Sequence, residues 1–195
     1  MRKELRPALL LFLLLSLLTG VVYPLAVSGI ARLAFPGAAA GSLISHNGAV
    51  VGSALIGQTF TGAEWFHGRP SATGSGEYNG AASSGSNLGP INPGLLDTLA
   101  ARAISLRAEN HIVGGKLPVD LLTSSASGLD PHISPASALL QVRRIAARRG
   151  LAEAVVADLV AQHTEARQLG VLGEPRVNVL QLNLALMQLT AGARQ

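Results

Sequence analysis

The sequence predicts a single N-terminal transmembrane helix followed by a mixed α+β exported domain, rich in helix with a few short strands. Three observations carry this prediction: an uncharged run from Pro7 to Ala31, a basic flank on its N-terminal side, and apolar residues at helical spacing downstream of Asn92. The corresponding division is 1–6 as a cytoplasmic N-terminus, 7–34 as the transmembrane helix and 35–195 as one extracytoplasmic domain.

The uncharged run of about 25 residues spans roughly 37 Å as a helix, against a hydrocarbon core of about 30 Å. Leu9 to Leu11, Leu13 to Leu15, Leu17 and Leu18 favour insertion by several kcal/mol together, at about −0.3 to −0.6 kcal/mol each. Arg2, Lys3 and Arg6 precede the run, and after Arg32 no charged residue occurs until Glu64. Positive charge is retained in the cytoplasm, so the remainder of the chain is expected outside. Ala38-Ala39-Ala40 resembles a signal-peptidase site, but a signal core is about 7–15 residues long and this run is longer. Tyr23 and Pro24 also suit a packed membrane helix better than a signal. Within the span Ser16, Thr19, Gly20, Ser28 and Gly29 are small enough for close helix approach, and Pro24 is placed to bend it.

Roughly 160 residues follow the span, enough for one domain with its own core. The chain has no cysteine, which excludes a disulfide framework and thiolate metal ligands. Its pI near 10.3 does not point to nucleic acid, because the arginines are scattered and the domain is placed outside the cell. Phe60, Trp65, Phe66 and Tyr78 cluster in one stretch, as a local packing centre or an interfacial belt.

Ala49-Val50-Val51 and Ala54-Leu55-Ile56, separated by Gly52-Ser53, predict a short hairpin or two short strands, with Gln58-Thr59-Phe60 as an extension. The tract from Gly68 to Pro93 is too rich in Gly, Ser and Asn for a core element, and loops of this length are functional or disordered. Asn92-Pro93 opens a helix ending near Asn110, with Leu95, Leu96, Leu99, Ala103 and Leu106 on its apolar face. Leu117 to Leu122 reads as a short strand. Ser134-Pro135 opens a second helix that buries Leu139, Val142, Ile145 and Ala146 and ends at Gly150, with Arg143, Arg144, Arg148 and Arg149 complementing its dipole. A third helix covers about 152–167 and buries Val155, Val156 and Leu159. Asn178 caps a fourth, which buries Leu182, Leu186 and Leu189.

These residues bear on four kinds of chemistry. Gly114-Gly115-Lys116 is followed by Leu117 and has Asn110 where a phosphate loop needs its first Gly, so that motif fails. The Ser83 to Asn87 run lacks an immediately following helix to make an anion site. His67, His111, His132 and His163 are dispersed and form no H-x-x-x-H pair. Ser127 or Ser134 with His132 and Asp130 suggests a membrane-anchored envelope hydrolase, yet no G-x-S-x-G elbow is present. The structural alternative has Asp130 accepting turn amides and Ser134 capping the helix at Pro135. In Trp65-Phe66-His67-Gly68-Arg69-Pro70-Ser71-Ala72, the aromatic pair anchors a loop and Arg69 either clamps it internally or meets a partner. An independent envelope binding module is the remaining reading.

An ordered set of motifs resembles the C-subunit family of the Kdp potassium-transporting P-type ATPase. The motifs are Phe66 to Ala72, Tyr78-Asn79, Ser86 to Pro90, Pro118-Val119-Asp120, Ser127 to Pro135, and Arg176 to Val179 with Leu182-Asn183. The resemblance covers nearly the whole chain. It implies a non-catalytic accessory subunit, needed for assembly and described in the family as a catalytic chaperone that raises the ATP affinity of the pump subunit. The implied partners are a channel-like potassium-binding subunit (KdpA), an ATP-hydrolysing P-type subunit (KdpB), a small membrane peptide (KdpF) and the lipid bilayer of the cell inner membrane. Potassium is then the transported ion, ATP acts on the partner subunit, and no cofactor is expected on this chain. Structural or interface candidates are Trp65, Phe66, Arg69, Asn87, Asp120, Asp130, His132, Ser134 and Asn178. Because ATP sites of such pumps are cytoplasmic, an effect of an exported domain on ATP affinity has to act across the membrane.

Overall fold

The computed structural model describes residues 2–74 and 78–192. Residues 75–77 of the Gly/Ser-rich tract, the first residue of the N-terminal 1–6 segment and residues 193–195 of the C-terminal domain lie outside the described residues. The chain divides into two compact units, residues 1–51 and 52–195.

In the first unit, helix α1 (Arg2–Leu17) continues through a π-helical turn (Leu18–Val22) into α2 (Tyr23–Ala34). Together they contain an apolar helix, Lys3–Ala34, with an 18-residue stretch of mean hydropathy 2.4, long enough to cross a membrane. The π-turn has a local cause. Pro24 has no N–H, which frees a carbonyl in the preceding turn, and the helix reroutes so that Tyr23 N–H donates to Leu18 O. Thr19 Oγ1 donates back to Leu15 O at 2.7 Å, as a hydroxyl in an apolar helix must.

A short helix, α3 (Pro36–Ala39), precedes the hairpin of β1 (Leu43–His46) and β2 (Ala49–Ser53). The hairpin is therefore one strand earlier than expected, and 54–56 lie in the turn that follows β2. Its turn is Asn47-Gly48, with φ of 50° and 79°, both in the left-handed region that a two-residue hairpin turn requires.

In the second unit, α4 (Pro93–Glu109) begins as predicted, with the Asn92 side chain accepting from Gly94 N–H. None of its residues is buried: Leu95, Leu99, Ala103 and Leu106 are half-buried and Leu96 is exposed. The expected strand at Leu117–Leu122 is instead a 3-10 turn at Val119–Leu121. Pro118 leads into this turn, and the Asp120 carboxylate it presents is used elsewhere in the unit. Strand β3 (His132–Ile133) follows, then α5 (Pro135–Arg149), α6 (Glu153–Gln162), β4 (Thr164–Glu165), β5 (Arg176–Asn178) and α7 (Val179–Gly192).

The third helix is shorter than expected, because Thr164 and Glu165 pair in a sheet. Strand β5 lies between β3 and β4 and is antiparallel to both, with Ile133 opposite Val177 and Thr164 opposite Val177. Helices α5, α6 and α7 bury Ala138, Val142, Ile145, Val156, Leu159, Val160, Leu182 and Leu186 in one core with Phe66, Ile133 and Val177. Leu139 and Val155, expected inside, are 51% and 40% exposed. Their places on the inner faces are taken by Gln141 and Arg144 on α5 and by Val160 on α6.

Candidate functional site

The site begins with an irregular strap, residues 61–71, drawn into the core by Phe66, which is fully buried. A buried loop has backbone groups that no ladder satisfies, and two amide side chains supply the partners. Asn183 on α7 accepts from Phe66 N–H and donates to Phe66 O, both at 2.9 Å. Gln141 on α5 accepts from His67 N–H at 2.8 Å and donates to His67 O at 3.1 Å.

Arg144, 4% exposed, extends this network. It donates to Asn110 Oδ1 at 3.0 Å, to Gln141 Oε1 at 2.8 Å and to Ala63 O, and lies 3.6 Å from Glu109. Burial lowers its pKa from the ordinary arginine value, opposed by the charges of Glu109 and Glu64. At the outer end Arg149 stacks 4.3 Å from the Trp65 ring and donates to Glu64 O at 2.8 Å, while Phe60 tilts against Trp65 at 6.0 Å. Trp65 and Phe66 are thus both anchors, one at the surface and one in the core. Reading Arg144 as a dipole partner at a helix end is corrected: it is a buried clamp.

The strap delivers Arg69 to the Ser124–His132 loop. Its Nη1 donates to Asp130 Oδ2 at 3.0 Å and its Nη2 to Ser124 O at 3.2 Å and Thr123 O at 3.4 Å. The buried Nε has no partner among the described residues. Tyr78 OH donates to Arg69 O at 2.6 Å. Burial pushes the Tyr78 phenol up to about 12, with the Asp130 charge adding to the shift and Arg69 opposing it.

Asp130 Oδ1 accepts from His132 N–H at 3.0 Å and lies 3.3 Å from His132 Nδ1. Burial would raise the Asp130 pKa, but the hydrogen bonds from His132 and Arg69 prevail and hold it below its ordinary value. Asp120 Oδ2 accepts from Ser134 N–H at 2.7 Å, and its Oδ1 from Ser134 Oγ at 3.1 Å and Ser137 Oγ at 2.7 Å. Ser134 Oγ in turn accepts from Ser137 N–H at 3.1 Å and so caps α5.

The structure therefore brings Arg69, Asp130 and His132 together, places Asp120 against Ser134, and sets Asn178 opposite His132 in the sheet. Asn178 accepts from Gln181 N–H at 3.1 Å, capping α7 as predicted, and donates to Ala54 O at 2.9 Å. Asn87 is exposed, with φ of 53°, and makes no hydrogen bond to this group.

The Gly68–Pro93 tract is less open than its composition suggests. Thr73 is fully buried, Ser71 Oγ donates to Gly128 O at 2.8 Å, and Ser84 N–H donates to Ser127 O at 3.0 Å. Gly128, with φ of 67°, packs so closely that a Cβ would meet Ser84 O at 2.4 Å.

Three clefts flank the Arg69 group, one of them, of about 600 Å³, bounded by Ile56, Ser127 and Asp130. A second, of about 290 Å³, is lined by His67, Arg69, Tyr78, Arg102 and Glu109, and a third, of about 450 Å³, by Asp120, Asp130, His132, Ser134 and Arg176. A serine nucleophile needs a base on its hydroxyl. Ser134 Oγ is engaged with Asp120 and Ser137, and Ser127 Oγ lies 3.1 Å from Leu129 N and 3.4 Å from Ser125 Oγ; neither pairs with His132. The hydrolase reading has no support in this geometry. The sequence leaves Gln141 unmarked and names Arg144 and Asn183 without their role as buried clamps. Their signal was a polar residue within an otherwise apolar helical stripe, which only burial distinguishes from a solvated position.

Comparison with known proteins agrees with this arrangement of motifs. The model of the family described as K+-transporting ATPase, c chain (KdpC), matches residues 5–188. A protein of Polaromonas naphthalenivorans, named potassium-transporting ATPase KdpC subunit, is 60% identical over 186 residues, covering 95% of each chain. Proteins of the same name from Dechloromonas aromatica and Herpetosiphon aurantiacus are each 58% identical, covering 95% and 97% of this chain and 97% and 98% of their own. With one apolar helix at its N-terminus and this pattern along nearly its full length, the chain belongs to the KdpC family of K+-transporting ATPase subunits.

Proposed function

We propose that this accessory subunit acts without hydrolysing ATP itself, with residues 7–34 in the cell inner membrane, 1–6 in the cytoplasm and 35–195 outside. The observation that carries the reading is the use of Asp120, Asp130, His132 and Ser134 as acceptors and caps within their own domain. Groups engaged in this way position a rigid surface and leave no hydroxyl poised for attack. ATP hydrolysis is assigned to a P-type partner (KdpB), potassium binding to a channel-like partner (KdpA), and a small peptide (KdpF) completes the assembly. The chaperone-like effect on ATP affinity is assigned to coupling through the assembly, since coupling is a free-energy relation that needs no shared site. Arg69 with Asp130, the Trp65-Phe66 strap and Asn178 hold the domain in the form the partners meet, and Asn87 is offered at its surface.

Two measurements test this. A reporter fused after Gln195 is expected to be active only if it works outside the cytoplasm, and activity of a cytoplasm-dependent reporter there refutes the orientation. Asp130→Ala is expected to lower the yield of complex while ATP turnover per intact complex is retained. A large loss of turnover in fully assembled complexes would place this loop in the reaction cycle instead.

A further inference from the structure

The connection between β4 and β5 carries a feature that the core and the Arg69 group do not use. Gln168 and Leu172 exchange backbone hydrogen bonds at 2.9 Å each, and Gly170 N–H donates to Arg167 O at 3.1 Å, which makes residues 167–173 a tight, self-bonded tip. The tip presents Leu169, Val171 and Leu172, which are 90%, 73% and 56% exposed.

Leu169 also has φ of 53°. The other non-glycine residues with positive φ among those described are Ser42, Asn47, Asn87 and His111, mostly of the small polar or imidazole types that tolerate it. A branched apolar side chain in that conformation is strained. Nothing in the fold needs it there, because the side chain is in solvent and Gly would hold the same turn without strain.

We propose that this tip is a knob that seats in an apolar socket on a companion subunit of the ATPase. The inference rests on the assembly described above. Charge selects protein over lipid as the occupant. Loops that dip into bilayers use aromatic residues and unpaired Lys or Arg at the headgroup level. Here no aromatic residue is present between Arg167 and Glu174, and the flanking arginines are already matched, Arg167 with Glu174 at 2.6 Å and Arg176 with Glu165 at 2.9 Å. A collar of matched charges around an apolar centre is the anatomy of a protein–protein contact, whose core excludes charge and whose rim is polar.

The 195 residues contain no cysteine, so Val171→Cys places a single thiol on the chain at the tip. Its alkylation rate is measured on the chain alone and on the purified ATPase in the same detergent, with the modified subunit resolved by mass. About tenfold slower labelling in the ATPase is expected. Leu169→Gly supplies the second arm: it relieves the backbone strain, so the unfolding midpoint of the full chain stays equal or rises, while retention of companion subunits in a competitive wash falls about tenfold. A purely structural turn would not separate the two readouts. Equal labelling in both states, with normal retention by Leu169→Gly, overturns the socket. Slow labelling in vesicles without companion subunits would make the occupant lipid, and concentration-dependent protection of the chain alone would make it a second copy; either result overturns the proposal. Absence of companion subunits from the wild-type preparation defeats the assembly reading itself, whereas normal co-purification with a freely reactive tip defeats only this inference.

Discussion

Asn183 and Gln141 each present a carboxamide to a peptide unit as a neighbouring strand would, one donor and one acceptor in register. Removing such a partner leaves buried amide and carbonyl groups unsatisfied, at about 1–3 kcal/mol each. Asn183→Leu, close in size, is therefore expected to cost about 2–4 kcal/mol in denaturant unfolding of the full chain. Titration adds a second residue-scale test. Tyr78 has its folded pKa raised to about 12 from 10.0, so its contribution is fully present below pH 10 and is lost as the pH rises to 12. Asp130 is shifted the other way: its contribution is present above the ordinary carboxylate pKa and fades as the pH falls through the lowered folded value. Stability measured against pH should fall on both flanks, the alkaline loss weakening in Tyr78→Phe and the acid loss in Asp130→Asn.

Among the elements, α5 shows most clearly where a one-dimensional pattern stops being informative. Its N-cap Ser134 and its C-cap Gly150, in the left-handed conformation at φ of 66°, are local chemistry and stand where the sequence placed them. Its buried face does so only in part: Val142, Ile145 and Ala146 are buried as expected, but a stripe drawn through apolar residues alone also passes through Leu139 and misses Gln141 and Arg144. Ile145→Ala should cost about 2–5 kcal/mol and Leu139→Ala less than about 0.5, and thermal unfolding of the full chain measures the contrast. Ser134→Ala is expected to lose about 0.5–2 kcal/mol as a cap, toward the upper end because Asp120 loses a partner too. The hairpin was legible from Asn47-Gly48, a two-residue turn signal overlooked in favour of the apolar runs beside it. The two-residue strands β3 and β4 had no such signal, since pairs this short become strands only by contact with β5.

For the whole molecule, the proposed function asks the apolar helix to serve an assembly as well as a bilayer. A π-turn held by Pro24, with small residues around it, gives the helix a shape that simple hydrophobicity does not require. Replacing residues 7–31 by polyleucine is expected to preserve membrane insertion and to reduce co-purification of companion subunits. Undiminished co-purification would assign association to residues 35–195 alone. Sequence by itself determined the apolar span, the starts of α4, α5 and α7, and the family, because these rest on local signals: hydropathy, caps that bond within four residues, and ordered motifs. Tertiary structure alone decided that Arg69 faces Asp130, that Asp120 serves Ser134 from 14 residues away, and that Asn183 holds Phe66 across 117 residues. Those contacts join positions distant in sequence, and the free energy that selects them comes from burying Phe66 and then satisfying the backbone groups buried with it, a condition no single stretch of sequence expresses.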